Sequence, residues 1–183
     1  PVIAAINGAA VGIGATMTLP MDIRLCSERA KFGFVFSQRG IVLETASSWF
    51  LPRLVGVQRA AEWAYTGRVF TADEALSAGL VRSIHPPEEV LPTAYALARE
   101  IADNTAPVSV ALNRQLMWRM LGAPHPMEAN VVESRAMYSR GASRDTAEGV
   151  AAFLEKREAA YPERVPTDLP DVFPDYEDPA FRR

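Results

Sequence analysis

The residues of this chain best suited to stabilising a developing negative charge come near its start. Gly8, Gly12 and Gly14 punctuate PVIAAINGAAVGIGATMTLP, between an apolar run at 2–6 and an apolar stretch at 15–19. The run reads as a strand buried on both faces, and the stretch as a helix that Pro20 ends or bends. The first N–H groups of a helix have no internal acceptor and lie at the positive end of its dipole. An anion, or an oxygen gaining charge during a reaction, is stabilised there. Two specific anion-binding turns do not fit. The dinucleotide turn G-x-G-x-x-G needs a third glycine where Met17 stands, and a phosphate loop needs a Gly-Lys-Ser/Thr that is absent. A tight strand-to-helix connection with no chemistry stays open on these residues alone.

The elements that must hold this turn alternate in type. Residues 22–26 alternate polar and apolar and read as a strand; 31–33 form a second short extended piece; 34–43 read as loop and short strand. Residues 44–55 and 58–66 read as helices, with Pro52 disturbing the first and Gly67 capping the second. On this reading Glu44 is an acidic residue in a first helical turn, where the dipole favours it. Thr71 and Glu74 make a capping box for a helix that stops at Gly79. A strand at 80–84 follows, then a helix at 87–104 with Val90, Leu91, Ala94, Leu97, Ala98 and Ile101 along one side. Strands stop at Pro107. Segments 108–121, 127–139 and 144–161 read as helices, the last with Ser143 as cap candidate. Strand–helix alternation argues an α/β layered fold. Residues 162–183 hold five prolines among acidic residues and read as an extended tail, ordered where Phe173, Tyr176 or Phe181 finds a surface.

Composition narrows the classes. The 183 residues suit one domain, or one domain with an appendage, and 49% hydrophobic content is ample for a core. A net charge of −3 offers no positive field for nucleic acid or an anionic membrane surface. Cys26 is the only cysteine, so no intrachain disulfide forms, and a reducing compartment is expected, the cytoplasm or an organelle. His85 and His125 lie far apart, each beside proline; this speaks against a His-based metal site and places both in surface loops. No stretch reaches the ~20 apolar residues that span a bilayer.

The motifs, taken together, resemble one family. Asn7-Gly8-Ala9-Ala10-Val11-Gly12-Ile13-Gly14 leads into Asp22-Ile23-Arg24, then Ala30-Lys31-Phe32-Gly33, Leu51-Pro52-Arg53-Leu54-Val55-Gly56 and Thr66-Gly67-Arg68. Glu74-Ala75, Gly79-Leu80-Val81, Glu148-Gly149-Val150 and Phe153-Leu154-Glu155-Lys156-Arg157 continue the series. The order and spacing resemble the crotonase, or enoyl-CoA hydratase/isomerase, superfamily. The resemblance implies an α/β, crotonase-like ββα spiral core, of which residues 1–106 are the C-terminal part. It implies a helical oligomerisation region at 107–161, building a homo-trimer or a hexamer, and leaves 162–183 as a Pro-rich tail. It also implies that roughly the first third of a family domain is absent from this chain, the part that carries the loop for the CoA adenine and the first of two oxyanion-binding N–H groups. The substrate would be an acyl-CoA thioester, with CoA part of the substrate and no further cofactor or metal.

The same resemblance assigns roles. The thioester carbonyl would lie against the Ile13 N–H, within Gly12 to Gly14. Family hydratases use two glutamates; by spacing, their positions hold Thr16 and Phe36 here. A threonine hydroxyl and a phenyl ring do no general acid–base work at neutral pH. Leu43-Glu44-Thr45-Ala46-Ser47-Ser48 instead resembles the P-E-x-x-S-S segment of Δ3,Δ2-enoyl-CoA isomerases, with Leu43 in place of the proline. Glu44 would then be the one carboxyl group that carries a proton between C2 and C4. Thr16, Phe36 and Trp49 would line the acyl pocket, and Phe153 and Lys156 would meet the CoA adenine or phosphates. Each has a plainer reading: a helix position, core aromatics, a solvated lysine. An enoyl-CoA hydratase, another crotonase reaction and a non-catalytic acyl-CoA-binding subunit are the alternatives to an isomerase.

Overall fold

The computed structural model describes residues 1–177 and 180; Phe181, one of the three candidate tail anchors, lies outside them. The chain divides into two units, Pro1–Ala98 and Arg99–Arg183.

The first unit holds six short strands: β1 (Ile3–Ile6), β2 (Ala9–Val11), β3 (Ile23–Ser27), β4 (Lys31–Gly33), β5 (Val69–Thr71) and β6 (Ser83–His85). They form two three-stranded sheets, ordered β1-β3-β6 and β2-β4-β5. The first is parallel throughout, with Ala4 opposite Arg24 and Cys26 opposite Ile84. In the second, β2 runs parallel to β4 while β5 runs antiparallel to it, Phe32 facing Phe70. Two strands depart from the sequence reading. β2 lies inside what reads as a single glycine turn, and β5 follows Gly67 where only a motif was visible. Three residues are too few to show a period. β6 starts at Ser83, because Leu80 and Val81 are spent in the core as the chain leaves the preceding helix. His85 ends that strand, half-buried, its Nε2 2.8 Å from the Ser83 hydroxyl, so it is not a loop residue.

Helices α1 (Ile13–Thr16), α2 (Ser47–Val55), α3 (Val57–Thr66) and α4 (Ala72–Ser77) complete the unit, and α5 (Val90–Asn104) carries the chain into the second. Gly67 takes the left-handed conformation (φ 59°) beyond α3, as its position predicts. Thr71 caps α4 by accepting the Glu74 N–H, but the capping box is only half made. The Glu74 carboxylate turns away to the Trp63 indole N–H at 2.7 Å and to Arg68 Nη1 at 2.8 Å. The Arg68 hydrogen bonds hold its carboxyl down at about 2. These partners ring an aromatic stack: Trp63 lies on Phe70 with centroids 3.9 Å apart, and Phe34 and Phe32 extend it.

The second unit is helical: α6 (Pro107–Met120), α7 (Pro126–Gly141) and α8 (Arg144–Glu155). His125, read from sequence as a loop histidine, caps α7 by accepting the Met127 N–H at Nδ1, and Ser143 caps α8. α8 ends six residues earlier than its pattern suggests, because Lys156 turns left-handed (φ 54°). There Arg157 forks onto Glu148 at 2.6 and 3.0 Å. The described residues of the proline-rich tail form no helix or strand and turn at 165–168 and 174–175, and Val172 and Phe173 join Val108, Leu112 and Ala136 in a small core. Arg119 lies over the rings of both Phe173 and Tyr176. Among the described residues no helix is long and apolar enough to cross a membrane.

Candidate active site

The glycine turn is built around Gly12, whose φ of 59° and ψ of −126° suit a residue without a Cβ. Its N–H donates to the Gly33 carbonyl at 2.9 Å, which fixes the turn to β4. Its carbonyl accepts from Ala15 and Thr16, and the Ile13 carbonyl accepts from Met17, closing α1. The helix is therefore one turn beginning at Ile13, earlier than residues 15–19. The N–H groups of Ile13 and Gly14 are left without an acceptor among the described residues. Ile13 is 66% exposed, so this end of the helix is open.

Arg24 locks the far side of the same segment. It is buried on β3 and donates to the carbonyls of Thr18, Leu19, Met21 and Leu80, the last through Nε at 2.8 Å. Burial lowers its pKa, and nearby Asp22 opposes that shift. One guanidinium thus satisfies three carbonyls of the turns that follow α1 and the carbonyl of Leu80. In the sequence Arg24 is a polar position of an alternating strand and the end of the Asp22-Ile23-Arg24 motif, with no sign of its carbonyl partners.

Glu44 does not open a helix. Thr45 (φ 52°) and Ala46 (φ 53°) are both left-handed, so α2 begins only at Ser47. The buried Ser47 holds the turn: its N–H and its hydroxyl donate to the Glu44 carbonyl at 2.9 and 2.5 Å. The half-buried Glu44 carboxylate is gripped at both ends. The Thr16 hydroxyl donates to Oε1 and the Thr45 hydroxyl to Oε2. Thr16 is wholly buried, and its Oγ1 also lies 3.4 Å from the Ile13 carbonyl oxygen. A single carboxylate therefore stands against the helical turn whose first N–H groups are unpaired. The chemistry open to it is proton transfer beside a nascent anion.

The other candidates fall elsewhere. Phe36 is buried in the core of the first unit. Trp49 is half-buried on α2, edge-on to Phe50 with centroids 4.8 Å apart and covered by the Arg53 guanidinium at 4.0 Å. Phe153 and Lys156 are exposed residues of the second unit, so the cluster described here is made by the first unit alone. Among the described residues no three His, Cys, Asp or Glu side chains converge as a metal site.

Paired short sheets, a glycine turn opening a one-turn helix, and a lone carboxylate beside it define a crotonase-type α/β protein. The chain belongs to the enoyl-CoA hydratase/isomerase family, whose sequence model it matches over residues 1–164. It is 48% identical over 158 residues to the enoyl-CoA hydratase ACTT3 of Alternaria alternata, covering 86% of this chain and 53% of that protein. It is 35% identical over 164 residues to the 1,2-epoxyphenylacetyl-CoA isomerase of Escherichia coli, covering 86% of this chain and 59% of that one. The crystal structure of an enoyl-CoA hydratase from Bacillus anthracis superposes with a TM-score of 0.84 at 35% identity, covering 88% of this chain and 62% of that one. The chain thus spans little more than half the length of these relatives.

Proposed function

We propose that the protein is an acyl-CoA enzyme that moves the double bond of an enoyl-CoA, with Glu44 as the proton carrier. The observation that carries this reading is the Glu44 carboxylate hydrogen-bonded to Thr16 on the glycine-turn helix. The position that by spacing would hold one hydratase glutamate is thereby served by a carboxylate arriving from another loop. Glu44 removes a proton from C2 of a 3-enoyl-CoA. The C–H electron pair passes into the thioester, and the carbonyl oxygen takes up charge against the Ile13 N–H. Returning the proton at C4 shifts the C3–C4 double bond to C2–C3. One carboxyl group suffices because it takes and returns the same proton. An oxyanion donor of this kind is worth about 3–4 kcal/mol in the transition state.

A second reading is favoured by the names of the relatives, several of which are hydratases. In it Glu44 activates a water for addition to a 2-enoyl-CoA. A non-catalytic acyl-CoA-binding subunit is the third. Assay of the full-length protein on a 3-enoyl-CoA and, separately, for hydration of a 2-enoyl-CoA distinguishes them. The isomerase reading expects turnover in the first assay well above the second; the reverse ratio rejects it, and no turnover in either leaves a binder.

The second unit exposes Met117, Met127, Val131 and Met137, which supports the expected homo-trimer or hexamer. A monomer by light scattering of the full-length protein would reject that expectation.

A further inference from the structure

We propose that Thr16 and Thr45 are positioning residues that hold the two oxygens of Glu44 in register for proton transfer. The inference rests on Glu44 being the proton carrier, and neither threonine is assigned contact with the reacting atoms.

Thr16 and Thr45 approach the carboxylate from different elements, one from α1 and one from the turn before α2. A glutamate side chain is otherwise free about three bonds. A donor on each oxygen fixes the plane of the carboxylate as well as its location. Each hydroxyl occupies one acceptor site, and a carboxylate has about four, so both oxygens keep a lone pair for substrate.

Thr16 has one hydroxyl proton and two acceptors in reach, Glu44 Oε1 and the Ile13 carbonyl at 3.4 Å. While Glu44 is ionised, the hydroxyl donates to it. Once Glu44 carries the proton taken from C2, the hydroxyl turns to the Ile13 carbonyl and offers its own lone pair to the carboxyl O–H. The partner changes with the charge of the base while the oxygen stays in place. The residue that answers the base is thus hydrogen-bonded to Ile13, the residue whose N–H faces the anion.

Thr45 adds an independent observation. It is β-branched yet held at φ 52°, where such residues are outliers, and Ala46 follows it into the same region. Nothing in the sequence relaxes the turn, since neither residue is glycine or asparagine. Backbone strain of this kind persists where the surroundings impose it, commonly at functional sites. Here the conformation aims the Thr45 hydroxyl at Glu44 Oε2.

The test uses the full-length protein and a 3-enoyl-CoA deuterated at C2, reading kcat, KM and the share of label recovered at C4. Thr16→Val keeps shape and removes the hydroxyl; Thr16→Ser and Thr45→Ser keep a hydroxyl, and Thr45→Ala removes the second. The expected result for Thr16→Val and Thr45→Ala is a kcat lower by about tenfold or more, with KM within about threefold. The label recovered at C4 falls with it, because a loosened carboxyl group exchanges its deuteron with solvent before returning it. The serine variants recover most of both. Wild-type kcat and label transfer in Thr16→Val and Thr45→Ala, with Glu44→Gln inactive, overturn the positioning role and leave the base standing. An active Glu44→Gln overturns the base itself. If either threonine variant fails to fold, the hydroxyl comparison at the other position decides.

Discussion

The Gly12 N–H donates to the Gly33 carbonyl at 2.9 Å, and this one bond aligns the start of α1 with the end of β4. It forms only with Gly12 at φ 59°, a conformation that an added Cβ strains even though nothing lies within 4 Å of where it would sit. Gly12→Ala therefore acts through the backbone alone. The expected loss is about 1–3 kcal/mol of stability by urea denaturation. Turnover should fall as well, because the Ile13 and Gly14 N–H groups are re-aimed. A variant matching wild type in both measurements would show that the turn is not conformationally demanding.

Glu44→Gln keeps size and one acceptor oxygen while removing the proton acceptor. On a 3-enoyl-CoA, kcat is expected to drop by several orders of magnitude. The dissociation constant for a non-reactive acyl-CoA should barely change, because the proposed thioester contacts lie at the glycine turn. A variant within about tenfold of wild type, a loss of only ~1.4 kcal/mol, would mean that Glu44 is not the base.

Acid should weaken the fold through Glu74. Its carboxyl is held at about 2, against an ordinary 4.5, chiefly by Arg68. A depressed folded-state value stabilises the fold above the unfolded value and is lost as pH falls through the folded one. Glu74→Gln keeps an acceptor for the buried Trp63 indole but loses the ion pair. The variant is expected to be less stable by about 1 kcal/mol at neutral pH, since both partners are partly solvated. That gap should narrow below pH 4.5 and close near about 2. A gap that is flat across this range in denaturant titrations would refute the assignment.

The second unit has its own charged joint. Arg140 reaches Asp145 at 3.1 Å and Glu163 at 2.7 Å, with all three side chains nearly buried. Arg140→Met takes the buried cation from Asp145 and leaves Glu163 with only the exposed Arg144 at 3.9 Å, a loss of about 3–5 kcal/mol. The thermal midpoint should fall accordingly, and Glu163→Gln in the same chain should recover part of it. An unchanged midpoint for Arg140→Met would show that water reaches the joint and replaces the arginine.

What the sequence discloses here depends on how local the signal is. The caps at Gly67, Thr71 and Ser143 are legible because cap residue and helix end lie within a few positions of each other. Strand β4 is legible from the A-K-F-G motif, and the family's order of motifs carries the fold as a whole. β2 and β5 are hidden, since three residues between glycines carry no period and their pairing partners come from elsewhere in the chain. Glu44 is singled out by the sequence, but its placement in a helix is wrong: the left-handed Thr45 and Ala46 that stop the helix short have no glycine or asparagine to announce them. Thr16 appears as an ordinary pocket or helix position because its hydroxyl partner lies 28 residues away. The bond from Arg24 to the Leu80 carbonyl, 56 residues on, shows the same limit: a polar contact between distant segments leaves no pattern in a window of neighbours.

Kinship and packing draw this chain's boundary in different places. The family likeness stops at residue 164, whereas Val172 and Phe173 are buried against Val108, Leu112 and Ala136. A chain cut where the family match ends would keep every family motif and still uncover apolar surface on α6 and α7. The segment beyond that match is thus, for the helical unit, part of its interior.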